Sequence, residues 1–193
     1  MADDSGVHLL ADDRRIVDDM ARGNRATLAR LVARHQLRVF RFIVRRVRNE
    51  AMAEEIANEV FLEAWRSAST FEGRSSVGTW LLAIAHNKAI SALRQRREEA
   101  WDEDKAGQLA DAGDNPEVQA QKSDKGAVIR RCLDALSSDH REIIDLVYYH
   151  EQSISEVSVV LGIPEATVKT RMFYARKKLG EVLRAAGIDR GWP

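Results

Sequence analysis

The segment from Ser153 to Val182 restricts the possible folds of this chain more than any other part of it. Ser153-Ile154-Ser155-Glu156 has capping-box spacing: the serine hydroxyl can satisfy an amide of the first helical turn, and the glutamate can return a bond to the serine amide. The helix it opens carries Ile154, Val157, Val160 and Leu161 on one face. Gly162 predicts its end, because glycine enters the left-handed region after a helix without steric cost. Ile163 is an apolar plug for the turn, and Pro164 suits the start of the next helix. That helix places Val168, Met172, Ala175, Leu179 and Val182 on one core-facing stripe. Its remaining surface presents Glu165, Thr167, Lys169, Thr170, Arg171, Tyr174, Arg176, Lys177 and Lys178. A short helix, a tight glycine turn and a longer basic helix are what insertion into a DNA major groove requires. Lys and Arg supply phosphate affinity, and Arg, Glu and Thr can also read base edges. An ordinary helical hairpin with a solvated basic face would show the same pattern.

The charge distribution favours the nucleic-acid partner. The formal net charge is zero, with 30 basic and 30 acidic residues, but the two signs are segregated. Nine arginines and no acid lie between Arg22 and Arg48. Nine acids stand against three lysines between Glu98 and Lys125, and six bases against two acids from Glu165 to Arg184. Two basic blocks therefore flank an acidic stretch. The single cysteine, Cys132, cannot form a disulfide within the chain, which fits a reducing cytoplasm. Its stripe with Ile129, Leu133 and Leu136 suits core packing, with a redox or regulatory role as the alternative. The first twenty residues are rich in aspartate, the wrong charge for a signal peptide, and the longest apolar run, Trp80 to Ala85, is too short to span a bilayer. The expectation is a cytoplasmic protein without membrane insertion.

Helical periodicity dominates and strand signals are weak, so the expected fold is all-α: two small helical domains joined by an acidic linker, the C-terminal one a helix-turn-helix. Residues 1–22 read as an acidic extension and the start of a first helix. Residues 23–97 read as the first domain. Within it, Leu28, Leu31, Val32, Val39, Phe40, Ile43, Val44 and Val47 recur at helical spacing. A second helix from Ala51 to Ser67 carries Ile56, Val60, Phe61, Ala64 and Trp65; Phe61 and Trp65 read as core. A third from Val77 carries Trp80, Leu81, Ile84, Ala85, Ala89, Ile90 and Leu93, after a loop at 70–76. The pattern fades over 98–126, whose turn-rich stretch Ala110 to Pro116 marks a linker with room for a short helix around Trp101. Residues 127–184 form the second domain, and 185–193 a tail. Both chain ends read as flexible.

The C-terminal stretch resembles region 4 of the extracytoplasmic-function (ECF) sigma factors of the sigma-70 family, most specifically at Gly162-Ile163-Pro164, Thr167-Val168-Lys169-Thr170-Arg171 and Ala175-Arg176. The stretches AEEIANEVFLEAW and TFEGRSSVGTWLLAIAHNKAISALRQRR are similar to region 2 of the same family. Together the two modules cover roughly residues 25 to 183, and their order across an acidic linker is the specific part of the likeness. The resemblance implies a sigma factor that directs promoter-specific initiation and is not an enzyme. Its partners would be core RNA polymerase (the clamp helices of the largest subunit and the flap of the second-largest), promoter DNA and an anti-sigma factor. It implies that Glu54, Glu55, Asn58 and Glu59 meet the polymerase. It implies that Phe71, Gly73, Arg74, Ser75, Ser76, Trp80, Asn87, Lys88, Arg94 and Arg97, with Arg96 beside them, serve the −10 element. Trp80 suits either base stacking or its own apolar stripe. Glu165, Thr167, Lys169, Thr170, Arg171, Tyr174, Arg176 and Lys178 would serve the −35 element.

The sequence departs from the family pattern at Ser91, where an aspartate is usual, at Val77-Gly78, at Ser137-Ser138 and at Asn58. These departures bear on the −10 preference more than on the fold. The five histidines are scattered, with no Glu-x-x-His or His-x-x-Glu pair, no P-loop and no Gly-x-Gly-x-x-Gly run, so no metal, cofactor or catalytic residue is expected. The alternative is a stand-alone helix-turn-helix regulator with an N-terminal sensing or dimerisation domain.

Overall fold

The computed structural model describes the backbone over residues 4–106 and 124–188, and side-chain environments over 11–100 and 126–188. The middle of the expected linker, with the Ala110–Pro116 turn, lies outside the described residues, as does the tail beyond 188. The described residues are helical, without strands. They form two compact units, one built from the elements up to residue 106 and the other mainly from those after 124.

The first unit consists of α1 (Asp4–Ala21), α2 (Arg25–Val47), α3 (Glu50–Ser67), a 3-10 turn (Ala68–Thr70) and α4 (Val77–Ala106). Asparagines start two of these helices. The Asn24 side chain accepts from the Ala26 amide at 3.2 Å, and Asn49 from the Met52 amide at 2.8 Å. Between α2 and α3 the reversal takes only two residues, with Arg48 left-handed at φ 55° and its amide donating to the Val44 carbonyl. Ser76 starts α4: its hydroxyl accepts from the Thr79 amide at 3.1 Å. The core brings together Leu31, Val39, Phe42 and Ile43 from α2, Ile56, Val60 and Phe61 from α3, and Leu81, Leu82 and Ala85 from α4. Phe42 is the buried aromatic of α2, whereas Phe40, on the expected stripe, is half-buried. Ile90, expected on the α4 stripe, is 40% exposed.

Two expected boundaries differ from the structure. The acidic N-terminus is a full helix, and Ile16, Val17 and Met20 are core residues. Its aspartates reach α2. Asp12 pairs with Arg34, and with Arg30 at 3.5 Å; Asp13 meets Arg34 at 3.2 Å and the His35 Nε2 at 2.9 Å. The second difference is that α4 does not end at residue 97 but runs to Ala106, through the first part of the expected linker and past Trp101. Arg94 with Glu98 and Gln95 with Glu99, each one helical turn apart, support the exposed helix surface over residues 94–100.

The second unit consists of α5 (Asp124–Asp134), α6 (Ser138–Ile144) continuing into a π-turn (Asp145–Tyr149), α7 (Ile154–Leu161) and α8 (Glu165–Ala185). The helix before α6 thus begins slightly earlier than Val128, where the periodicity resumes. Arg141 closes the end of α5, donating to the carbonyls of Leu133, Asp134 and Leu136 at 2.9–3.1 Å. Cys132 and Leu136 are buried with Ile143, Ile144, Leu146, Val157, Val160, Val168, Met172 and Ala175. Leu179 and Val182, at the far end of the α8 stripe, are only half-buried.

Candidate nucleic-acid interface

The turn between α7 and α8 forms as its sequence dictates. Ser153 accepts from the Glu156 amide at 3.3 Å and the Glu156 carboxylate accepts from the Ser153 amide at 2.9 Å, which completes the capping box. Gly162 stands at φ 63°, and the Ser158 hydroxyl donates to the Ile163 carbonyl at 2.6 Å, tying the turn to α7. With Val168, Met172 and Ala175 buried, the opposite side of α8 is turned to solvent. Glu165, Lys169, Thr170, Tyr174, Arg176 and Lys178 are exposed there, and Thr167 and Arg171 are half-buried.

Several of these groups are already oriented. Arg171 meets Asp139 of α6 at 3.3 Å, Lys169 faces Glu165 at 3.8 Å, and Lys178 faces Glu181 at 3.5 Å. The Thr170 hydroxyl donates to the Ala166 carbonyl. The Arg176 guanidinium lies over the Tyr148 ring at 5.7 Å. Phe173, absent from the sequence reading, is 64% exposed and meets Tyr174 edge to face at 5.4 Å. Its signal was available: it lies four residues after Lys169, on the solvent side of the stripe.

In the first unit the loop at 71–76 joins the 3-10 turn to the start of α4. The Phe71 ring packs on Trp80 with centroids 4.7 Å apart and planes tilted by 31°. Trp80 is therefore neither fully in the core nor free; it is half-buried beside the loop. Gly73 is left-handed at φ 71°, where other residues are strained. Arg74 is exposed and paired with Glu72, and Ser76 shares its hydroxyl between the cap and the Thr79 side chain at 2.8 Å.

Beyond the loop, Asn87, Arg94 and Arg97 stand exposed along α4 at helical spacing, with Arg96 on its exposed surface. Lys88 is placed differently. It is half-buried and faces Glu59 at 3.4 Å and Glu63 at 3.8 Å on α3. A residue expected at DNA is thus joined to one expected at the polymerase. On α3, Glu54, Glu55, Asn58 and Glu59 are exposed, and Leu62, half exposed one turn further on, adds an apolar side chain to that surface that sequence reading did not include. Phe61 is buried and Trp65 half-buried. Among the described residues no cluster of three or more His, Cys, Asp or Glu is arranged to hold a metal ion, and no helix is long and apolar enough to cross a membrane.

Comparison with known proteins gives a consistent result. Residues 31–99 match the family Sigma-70 region 2, and residues 127–179 match Sigma-70, region 4. The chain is similar to the ECF RNA polymerase sigma factor SigK of Mycobacterium ulcerans, 31% identical over 179 residues that cover 91% of this chain and 95% of the relative. It is similar to the RNA polymerase sigma-H factor of Pseudomonas aeruginosa, 28% identical over 89% of this chain and 94% of the relative. Among solved structures, it shares its fold with the sigma factor RpoE of Bartonella quintana, determined with the anti-sigma factor NepR. There the TM-score is 0.67 at 24% identity, over 84% of this chain and 98% of the other. CnrH, solved with the cytosolic domain of CnrY, gives a TM-score of 0.65 at 23% identity, over 90% of this chain and 97% of the other.

Proposed function

The chain belongs to the extracytoplasmic-function group of the sigma-70 family, and from that premise we propose how its two units divide the start of transcription between them. It is an RNA polymerase sigma factor. Residues 23–97 act as region 2. The exposed acids Glu54, Glu55 and Glu59, with Asn58, suit a basic coiled coil, the polymerase clamp helices, by charge complementarity. The loop from Phe71 to Ser76 captures an unstacked −10 base, for which an aromatic ledge, polar edges and a cation are the fitting chemistry. Trp80 backs that ledge. Asn87, Arg94 and Arg97 then track the displaced strand along α4, and Lys88 orients the α3 acids instead of meeting DNA itself.

Residues 127–184 act as region 4, placing α8 in the major groove of the −35 element, with the polymerase flap as their protein partner. The observation that carries this reading is the two-sided character of α8: a buried Val168–Met172–Ala175 stripe opposite exposed Lys169, Thr170, Tyr174, Arg176 and Lys178. The acidic linker between the two units follows a path on the polymerase. An anti-sigma factor, as the RpoE relative has, holds the protein inactive in the cytoplasm until it is needed.

Binding of a duplex promoter fragment, measured with and without core polymerase, tests the reading. Tight binding only with the polymerase is expected. Tight, sequence-specific binding by the protein alone would favour the stand-alone regulator.

A further inference from the structure

The 71–76 loop is braced by a neighbouring helix. Its first residue and its glycine both rest on one side chain from α1. The Arg14 guanidinium carbon lies 5.1 Å from the centre of the Phe71 ring. The same guanidinium fills the space that glycine leaves open at position 73, since a Cβ built there would fall 1.3 Å from Arg14 Nη1. On its other side Arg14 Nε meets Asp18 Oδ1 at 3.3 Å, which fixes the direction in which the fork points. The helix carrying both residues is anchored in the core by Ile16, Val17 and Met20. Phe71 in turn packs on Trp80 in the first turn of α4. One planar cation thus links α1, the loop and the start of α4.

We infer that Arg14 is a positioning residue for promoter selectivity: it holds the 71–76 loop in the one form that receives the −10 base, without touching that base. This rests on the proposed reading of the loop as the base-capturing surface. The physical case is preorganisation. A loop with left-handed Gly73 at its centre has many conformations when unsupported, and ordering it at the moment of capture would weaken binding of the correct base. A guanidinium supports it well, because its flat face packs on an aromatic ring while its edge donates to a carboxylate. Lysine has the same charge but neither the plane nor the fork, so it cannot replace arginine here. Arg14 is nonetheless 43% exposed, so a direct phosphate contact is the competing role, and lysine would serve that role well.

The test uses holoenzyme reconstituted from core polymerase and the full chain, with promoters carrying each of the four bases at the captured −10 position. The readout is the ratio of open-complex formation rates, preferred base over disfavoured. R14A and R14K should both lower that ratio by about 5- to 10-fold, the loss expected for one ordered group left unordered. D18N should lower it less. Affinity for core polymerase, melting temperature and discrimination at the −35 element should stay unchanged. An unchanged ratio in R14A would overturn the inference, as would full rescue by R14K, or a fall in core affinity or melting temperature in step with the ratio. R74A and S75A serve as controls for the loop itself. If they leave the ratio intact, the loop reading fails and takes the inference with it; if they lower it while R14A does not, the inference alone fails.

Discussion

At the scale of single residues, Phe173 and His35 illustrate opposite environments. Phe173 projects from α8 among groups expected to meet DNA, and nothing in the fold needs it there, since it is 64% exposed. An apolar ring at that position suits a thymine methyl, and a base pair no longer read costs about 1–3 kcal/mol. F173A should therefore lower transcription from a matched −35 promoter roughly 10-fold while leaving the melting temperature unchanged; a run-off assay beside a thermal melt checks both. His35 is buried between α1 and α2. Burial lowers its pKa below the ordinary 6.5; the Asp13 charge and hydrogen bond oppose that shift, and Arg38 and Arg34 add to it. The folded protein thus binds fewer protons at this site than the unfolded chain, so stability is full above about 6.5 and falls as pH descends toward the folded-state value. The melting temperature should drop between about pH 7 and pH 5, and H35Q should flatten that dependence.

At the scale of elements, what could be read in advance is what local chemistry decides. The capping box of Ser153 and Glu156, the glycine stop at 162 and the Val168–Met172–Ala175 part of the α8 stripe depend on residues a few positions apart, and each formed as its spacing required. The two elements that could not be read depend on other things. In α1 the aspartates dominate the eye, yet their partners Arg30, Arg34 and His35 stand on the next helix, far along the sequence, and only folding joins them to Asp12 and Asp13. After Leu93 the sequence of α4 offers no apolar stripe to detect, and pairs such as Arg94 with Glu98 support the helix there instead. Arg14 was likewise invisible as part of the loop, since its contact with Phe71 and Gly73 is purely tertiary. The packing of α1 is open to a direct check. Ile16 is 1% exposed, so I16A should destabilise the first unit by about 2–5 kcal/mol. Denaturant unfolding would measure this, and a loss below about 0.5 kcal/mol would mean that α1 is not part of that core.

At the scale of the whole molecule, zero net charge conceals the design. Basic surface is concentrated on α8 and along the arginine-rich α2, while acids gather on α3, on α1 and in the sequence from Glu98 onward. A single chain can thus offer an acidic face to a basic protein partner and a basic face to DNA. Because the acidic face of α3 and the basic face of α8 lie on different compact units, damage to one should leave the other working. Run-off transcription with purified core polymerase, on promoters varied at the −10 and −35 elements, tests this most directly. Wild-type protein should give specific new transcripts. The double change K169A/R171A should abolish dependence on the −35 sequence while core binding persists, and the pair E55A/E59A should weaken core binding without altering sequence preference. Transcripts that need neither element, or a K169A/R171A protein that still discriminates −35 sequences, would contradict the account.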